Sequence, residues 1–197
     1  MLLVLIYLAK YFNDAMFNIC DLAVKYAANG MTKRSVFERS VVQFAGGLTG
    51  ALAAQKLLPP FIAARGQSLI AATQPGIDVI GGATSEFMLS YIVTLIMLAT
   101  ERVQNGIIKF LIPQLAVAAA LKVGAHYSGP ALNPAAAASW TLLLWDKQSM
   151  GLTQHLIIFW VAPIIAAMLA KWTDIGIVTV SASASASAPK KNKRKSA

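Results

Sequence analysis

The chain has 197 residues, of which 57% are hydrophobic and 13% charged, with a mean hydropathy of +0.61. A soluble domain carries about twice that charge, so a hydrated monomer, a disordered chain and a secreted disulfide scaffold are all disfavoured, and the composition is that of a membrane protein. Of the formal net charge of +9, five units come from Lys190, Lys191, Lys193, Arg194 and Lys195 near the C-terminus, without the interleaved aromatics of a nucleic-acid binder. The single cysteine, Cys20, excludes an intramolecular disulfide and a cysteine-based zinc site.

In chain order, Met1 to Ala9 is an apolar stretch without the basic start and small-residue cleavage site of a signal peptide. It is too short to cross a bilayer alone, so the chain is expected to open within a transmembrane helix. Asn18 begins a second apolar stretch that runs to Asn29, where Gly30 is the expected C′ stop, and Asn18 with Asp21 has the outline of a capping box. Val36 to Leu58 is long enough to span, as are Val79 to Thr100, Gly106 to His126 and Leu152 to Trp172. Gly46, Gly47, Gly50, Gly81 and Gly82 are small residues of the kind that let membrane helices approach closely. Between the third and fourth spans, Asn133 starts another short apolar segment reaching Trp145, with Pro134 at the first helical position.

At ~1.5 Å per residue each asparagine-headed segment covers about half a membrane. An N-cap in lipid carries more meaning than one in water, because a helix that starts at mid-membrane needs partners for its first N–H groups. The pattern is a repeat: a half-helix, then a full span, twice. From Ile77 to Leu132 there are 56 residues ahead of the second asparagine, whereas 17 precede Asn18. Equivalent copies would require 39 more at the N-terminus, one whole span and most of another. An odd number of spans per copy inverts the second copy and brings the half-helices together from opposite faces. Placing the C-terminal tail and the Asn29 to Val36 loop in the cytosol puts thirteen basic residues on or near that side, against Lys56, Arg65, Lys122 and Lys147 on the other.

The stretch Ser128-Gly-Pro-Ala-Leu-Asn-Pro-Ala-Ala-Ala-Ala-Ser-Trp140 resembles the second Asn-Pro-Ala loop of the aquaporins, or major intrinsic proteins. Gln43-Phe-Ala-Gly-Gly-Leu-Thr-Gly50 is similar to their glycine-rich third span, and Glu86 falls where their fourth span carries a buried glutamate. The altered first motif Asn18-Ile19-Cys20, Ala136 at the position of the usual arginine, and His155-Leu-Ile-Ile-Phe-Trp-Val-Ala-Pro163 ahead of a basic tail resemble the small basic intrinsic protein (SIP) subfamily.

The resemblance implies an all-α membrane fold, an inverted repeat with two re-entrant half-helices that lacks the first span and most of the second. It divides the chain into a partial transmembrane domain, residues 1–176, and a flexible Ser/Ala linker with a basic cytosolic tail, residues 177–197. The implied function is a channel for water or small neutral solutes, in contact with membrane lipid, with a homotetramer as the family's usual assembly and neither cofactor nor nucleic acid as partner. Asn18, Ile19 and Cys20 form the first pore motif, and Asn133, Pro134 and Ala135 the second. Leu121 and Ala136 belong to a selectivity filter wider and less polar than one containing arginine. The readings that compete with a channel are a non-conducting scaffold and an intramembrane enzyme; for the latter the sequence offers no paired intramembrane aspartates, metal-ligand spacing or Gly-x-Ser-x-Gly.

For single residues, Glu86 within a span is either a proton relay or, as preferred, an acceptor for the backbone of a re-entrant loop, and Gln43 is read as the same kind of support. His126 and His155 are expected at the interface, and no further donors join them as metal ligands. Cys20 is read as a buried small residue rather than a reactive thiol, and Asp21 as a cap rather than a cation-attracting site. Lys193 and Lys195, in Lys193-Arg-Lys-Ser-Ala197, resemble a Lys-x-Lys-x-x retrieval signal for the endoplasmic reticulum, held clear of the bilayer by the Ser-Ala repeat from Ser181 to Ala188.

Overall fold

The computed structural model describes residues 11, 16–59, 78–125, 127–143 and 150–187. Among these, the regular elements are all helices: α1 (Ile19–Ala27), α2 (Lys33–Leu57), α3 (Val79–Glu101), α4 (Gly106–Gly124), α5 (Pro134–Leu143), α6 (Leu152–Leu156), a π-helical turn (Ile157–Val161) and α7 (Ala162–Ser187). Three stretches of the described residues are long and apolar enough to cross a membrane, Val79–Glu101, Gly106–Gly124 and Leu152–Ala184. The chain is an integral membrane protein.

Helix α1 starts where the side chain of Asn18 accepts a hydrogen bond from Cys20 N at 2.9 Å, satisfying one of the N–H groups that a helix start leaves free. At its other end Asn29 adopts the left-handed conformation, φ 55°, that had been expected of Gly30. Asn29 N donates to Tyr26 O and Gly30 N to Lys25 O, each at 2.9 Å, the paired bonds of a Schellman stop. Asparagine serves there because it tolerates positive φ better than other residues with a side chain.

Helix α2 has the length of a span, with a more polar composition than the other long helices. Glu38, Arg39, Gln43, Gln55 and Lys56 interrupt its apolar residues, so Val36 to Leu58 is a long helix that falls short of the spanning hydropathy reached by the other three. Of its three glycines only Gly47 stands against a neighbour. A Cβ there would lie 2.6 Å from Ser139 Oγ, so the missing side chain is what lets α2 lie against α5, while Gly46 and Gly50 face open space.

Helix α3 is capped by Asp78, which accepts from Gly81 N at 2.9 Å, and buries Gly82, Glu86, Ser90 and Val93 at helical spacing. It packs against both α4 and α7. Helix α7 lies against α1 through Cys20, Ala23 and Ala167, and its Ala166, Ala167 and Ala170 are wholly buried, small side chains that let the helices close on one another. The π turn has a local cause. Pro163 has no N–H to give and its ring would collide with the carbonyl four residues back; Ala162 N donates instead to Ile157 O, five residues back.

Two expectations for the last span are corrected. The helix continues past Trp172 through the Ser-Ala repeat to Ser187, so this part of the 177–197 segment is helical rather than a flexible linker. Alanine is the best helix former, and the hydroxyls return to the helix's own carbonyls: Thr179 to Ile175 at 2.9 Å, Ser181 to Ile177 at 2.8 Å and Ser183 to Thr179 at 3.0 Å. His155, expected at the interface, is buried at 3% exposure against Phe159, with Nδ1 3.3 Å from Thr141 Oγ1. His126, Trp145, Lys193 and Lys195 lie outside the described residues.

Candidate functional site: two opposed half-helices around a cavity

Helices α1 and α5 are short, and their N-termini meet. Asn18 Nδ2 donates to Leu132 O at 2.8 Å, and Asn133 Nδ2 donates to Phe17 O at 2.9 Å. Each asparagine thus bonds the carbonyl just ahead of the other. Their oxygens act alike too, since Asn133 Oδ1 accepts from Ala135 N at 3.1 Å as Asn18 Oδ1 does from Cys20 N. Two residues related in this way are what an inverted repeat produces at its axis. Pro134, at the first helical position, gives up no bond by lacking an N–H.

Both turns are held from outside. Glu86, wholly buried on α3, accepts from Ala131 N at 2.8 Å, Leu132 N at 3.3 Å and Ser128 Oγ at 3.4 Å. These bonds hold Leu132 in the left-handed conformation, φ 52°, that directs its carbonyl to Asn18. On the other side Gln43 Nε2, from α2, donates to Met16 O at 3.0 Å, two residues ahead of Asn18.

A cavity of about 400 Å³ lies beside the two asparagines. Its wall includes Asn18, Cys20 and Asp21 from the first half-helix, Leu132 and Asn133 from the second turn, Ser90, Val93, Thr94 and Met97 from α3, and Gln114, Val117 and Leu121 from α4. Ile19, Pro134 and Ala135 are buried in support of the turns, and Ala136, half-buried, is not on this wall. Leu121 is on it; the two residues named for the filter are therefore not brought together here.

Sequence reasoning passed over Ser90 and Thr94, one helical turn apart, and Gln114. The available signal was polar residues at helical spacing within otherwise apolar spans. It also counted Arg102 and Lys171 only as basic charges. In the fold both pair with Asp174, Lys171 Nζ at 3.2 Å, so that Arg102 at the end of α3 is tied to α7, beside a bond of 3.0 Å between the Tyr91 and Thr173 hydroxyls.

Opposed half-helices and a cavity inside a bundle of apolar helices define a membrane protein built like a channel. Residues 22–173 match the Major intrinsic protein family, and the chain belongs to it. It is 34% identical to "Aquaporin SIP1-1" of Zea mays over 80% of this chain and 63% of that protein. It is 31% identical to "Aquaporin SIP1-2" of the same species, over 80% and 64%, and 28% identical to "Aquaporin SIP1-1" of Oryza sativa subsp. japonica, over 80% and 64%. These matches support the SIP subfamily. The chain spans a little under two thirds of the length of these relatives.

Proposed function

We propose that the protein is a channel, not an enzyme, and that it passes water or small neutral solutes. The reciprocal pairing of Asn18 and Asn133 beside the cavity carries this reading. Each amide has two N–H groups. One is committed to the opposite turn, which leaves the other to donate to a passing oxygen. The half-helices add ~0.5 of a positive charge apiece, a barrier to cations that a neutral molecule does not meet. Leu121 lines the cavity, and the outer constriction beyond it, where Ala136 stands in place of the family's usual arginine, is wide and weakly polar. The protein works as a homotetramer in the endoplasmic reticulum membrane with a cytosolic C-terminus, where Lys193 and Lys195 act as the retrieval signal.

The test is osmotic shrinkage of vesicles containing the purified protein, followed by stopped-flow light scattering, with ion conductance measured in parallel. Faster shrinkage than in matched empty vesicles, without added conductance, is expected. Equal rates for water, glycerol and urea in both samples would overturn the channel reading in favour of a scaffold.

A further inference from the structure

We propose that a second crevice, between α2, α5 and the head of the last span, binds a membrane sterol by its hydroxyl, with His155 and Trp160 as the residues that recognise it. The crevice measures about 180 Å³. Phe44 of α2, Thr141 of α5, His155 and Trp160 line it, and the rest of its wall is aliphatic. Two rings on this wall carry a buried nitrogen that no described residue pairs with, His155 Nε2 and Trp160 Nε1. A buried indole N–H usually finds an acceptor, and one left without is costly unless a bound group supplies it. Five residues apart, the two rings would stand about 140° from one another on an α-helix. The π turn Ile157–Val161 intervenes, its wider winding changes that angle, and both rings reach one wall.

The two nitrogens select the polar group. Trp160 Nε1 can only donate. His155 shares Nδ1 with the Thr141 hydroxyl at 3.3 Å, so Nε2 donates or accepts according to which of those two atoms holds the hydrogen. A hydroxyl serves both cases, because it can accept from Trp160 and either accept from or donate to His155; an ester carbonyl only accepts and serves one. Phe159, wholly buried with its ring centroid 5.2 Å from that of His155, keeps the imidazole in place. Position selects the apolar body. His155 lies about 5 Å below Leu152 at the head of the span, close beneath the headgroups, where an amphiphile places its polar end. The rim, Leu142, Leu152 and Leu156, is apolar and about half exposed, a surface that lipid covers. So small a crevice holds the hydroxyl-bearing end and leaves the rest of the molecule along the rim. A rigid ring system loses little freedom there, whereas a long-chain alcohol has to order its chain.

The experiment places the full chain in phosphatidylcholine vesicles with a photoreactive sterol that keeps its hydroxyl, and maps the adducts by mass spectrometry. Wild type should be labelled on α5 and on the segment from Leu152 to Trp160. Trp160→Phe keeps a ring and removes the N–H, and it should lower that labelling about fivefold, the worth of one hydrogen bond. The same probe without its hydroxyl should label wild type more weakly still, and Trp160→Phe should then make no difference. Should Trp160→Phe fail to insert, the two probes on wild-type protein decide. Equal labelling by the two probes, adducts spread evenly over all the spans, or labelling by a photoreactive acyl chain as strong as by the sterol would each overturn the assignment. Water flux plays no part in the test, so its outcome is independent of the channel reading.

Discussion

Replacing Glu86 tests the link between a buried charge and the meeting of the half-helices. Its carboxylate receives two backbone N–H groups, Ala131 at 2.8 Å and Leu132 at 3.3 Å, and the Ser128 hydroxyl, at a site with no exposure. Hydrogen bonds to a charged group are worth about 1.5–3 kcal/mol each. Glu86→Gln keeps one oxygen for Ala131 but turns an amide NH2 toward a neighbouring donor, so it should cost about 2 kcal/mol. Glu86→Leu leaves both N–H groups without a partner in the protein interior and should cost about 3–5 kcal/mol. The effect should reach Asn18, because the Leu132 carbonyl that Asn18 bonds is held by the same turn. Denaturant titration in detergent, read by tryptophan fluorescence, should therefore give Glu86→Leu and Asn18→Ala a coupling energy of about 1 kcal/mol in a double-mutant cycle. Additive losses, or a Glu86→Leu protein as stable as wild type, would refute the reasoning.

Three further outcomes are expected. Ala136→Arg should narrow the outer constriction and lower the ratio of glycerol to water permeability; a ratio that holds or rises in inserted protein would remove Ala136 from the filter. Asp174→Ala should loosen α7 from the end of α3 at a cost of about 1–2 kcal/mol, discounted because Arg102 is half exposed, and the loss should shrink in the Arg102→Ala background. Serine at both Lys193 and Lys195 should release a tagged protein from the endoplasmic reticulum, as seen by microscopy, and unchanged retention would discard the retrieval signal.

The two half-helices were legible because each combines a short apolar run with an asparagine at its head, and length against membrane thickness is a strong constraint. Glu86 could be singled out on cost alone, as an acid in an apolar span. What could not be read was geometry that depends on pairing across the fold. Nothing local says that Asn18 bonds the residue before Asn133, that Asp174 collects Arg102 and Lys171, or that His155 turns inward to Thr141. The Ser-Ala repeat was misread from composition, since back-bonded hydroxyls make it compatible with a helix. Helix α2 carries more polar residues than the other long helices, and Ala136 was assigned from the resemblance, whereas the cavity wall follows the packing of α3 and α4.

The central claim is that solute passes between Asn18 and Asn133, and Cys20 offers the most direct measurement of it. It is the chain's single cysteine, 4% exposed and packed between α7 and the cavity those asparagines share, so only a reagent small enough to enter the cavity should reach it. Water flux into vesicles should fall when a small mercurial reacts with the wild-type protein and recover on adding a thiol, while Cys20→Ser should be indifferent to the reagent. Full flux through wild-type protein whose Cys20 is shown by mass spectrometry to carry the mercurial would place the path elsewhere and contradict the account.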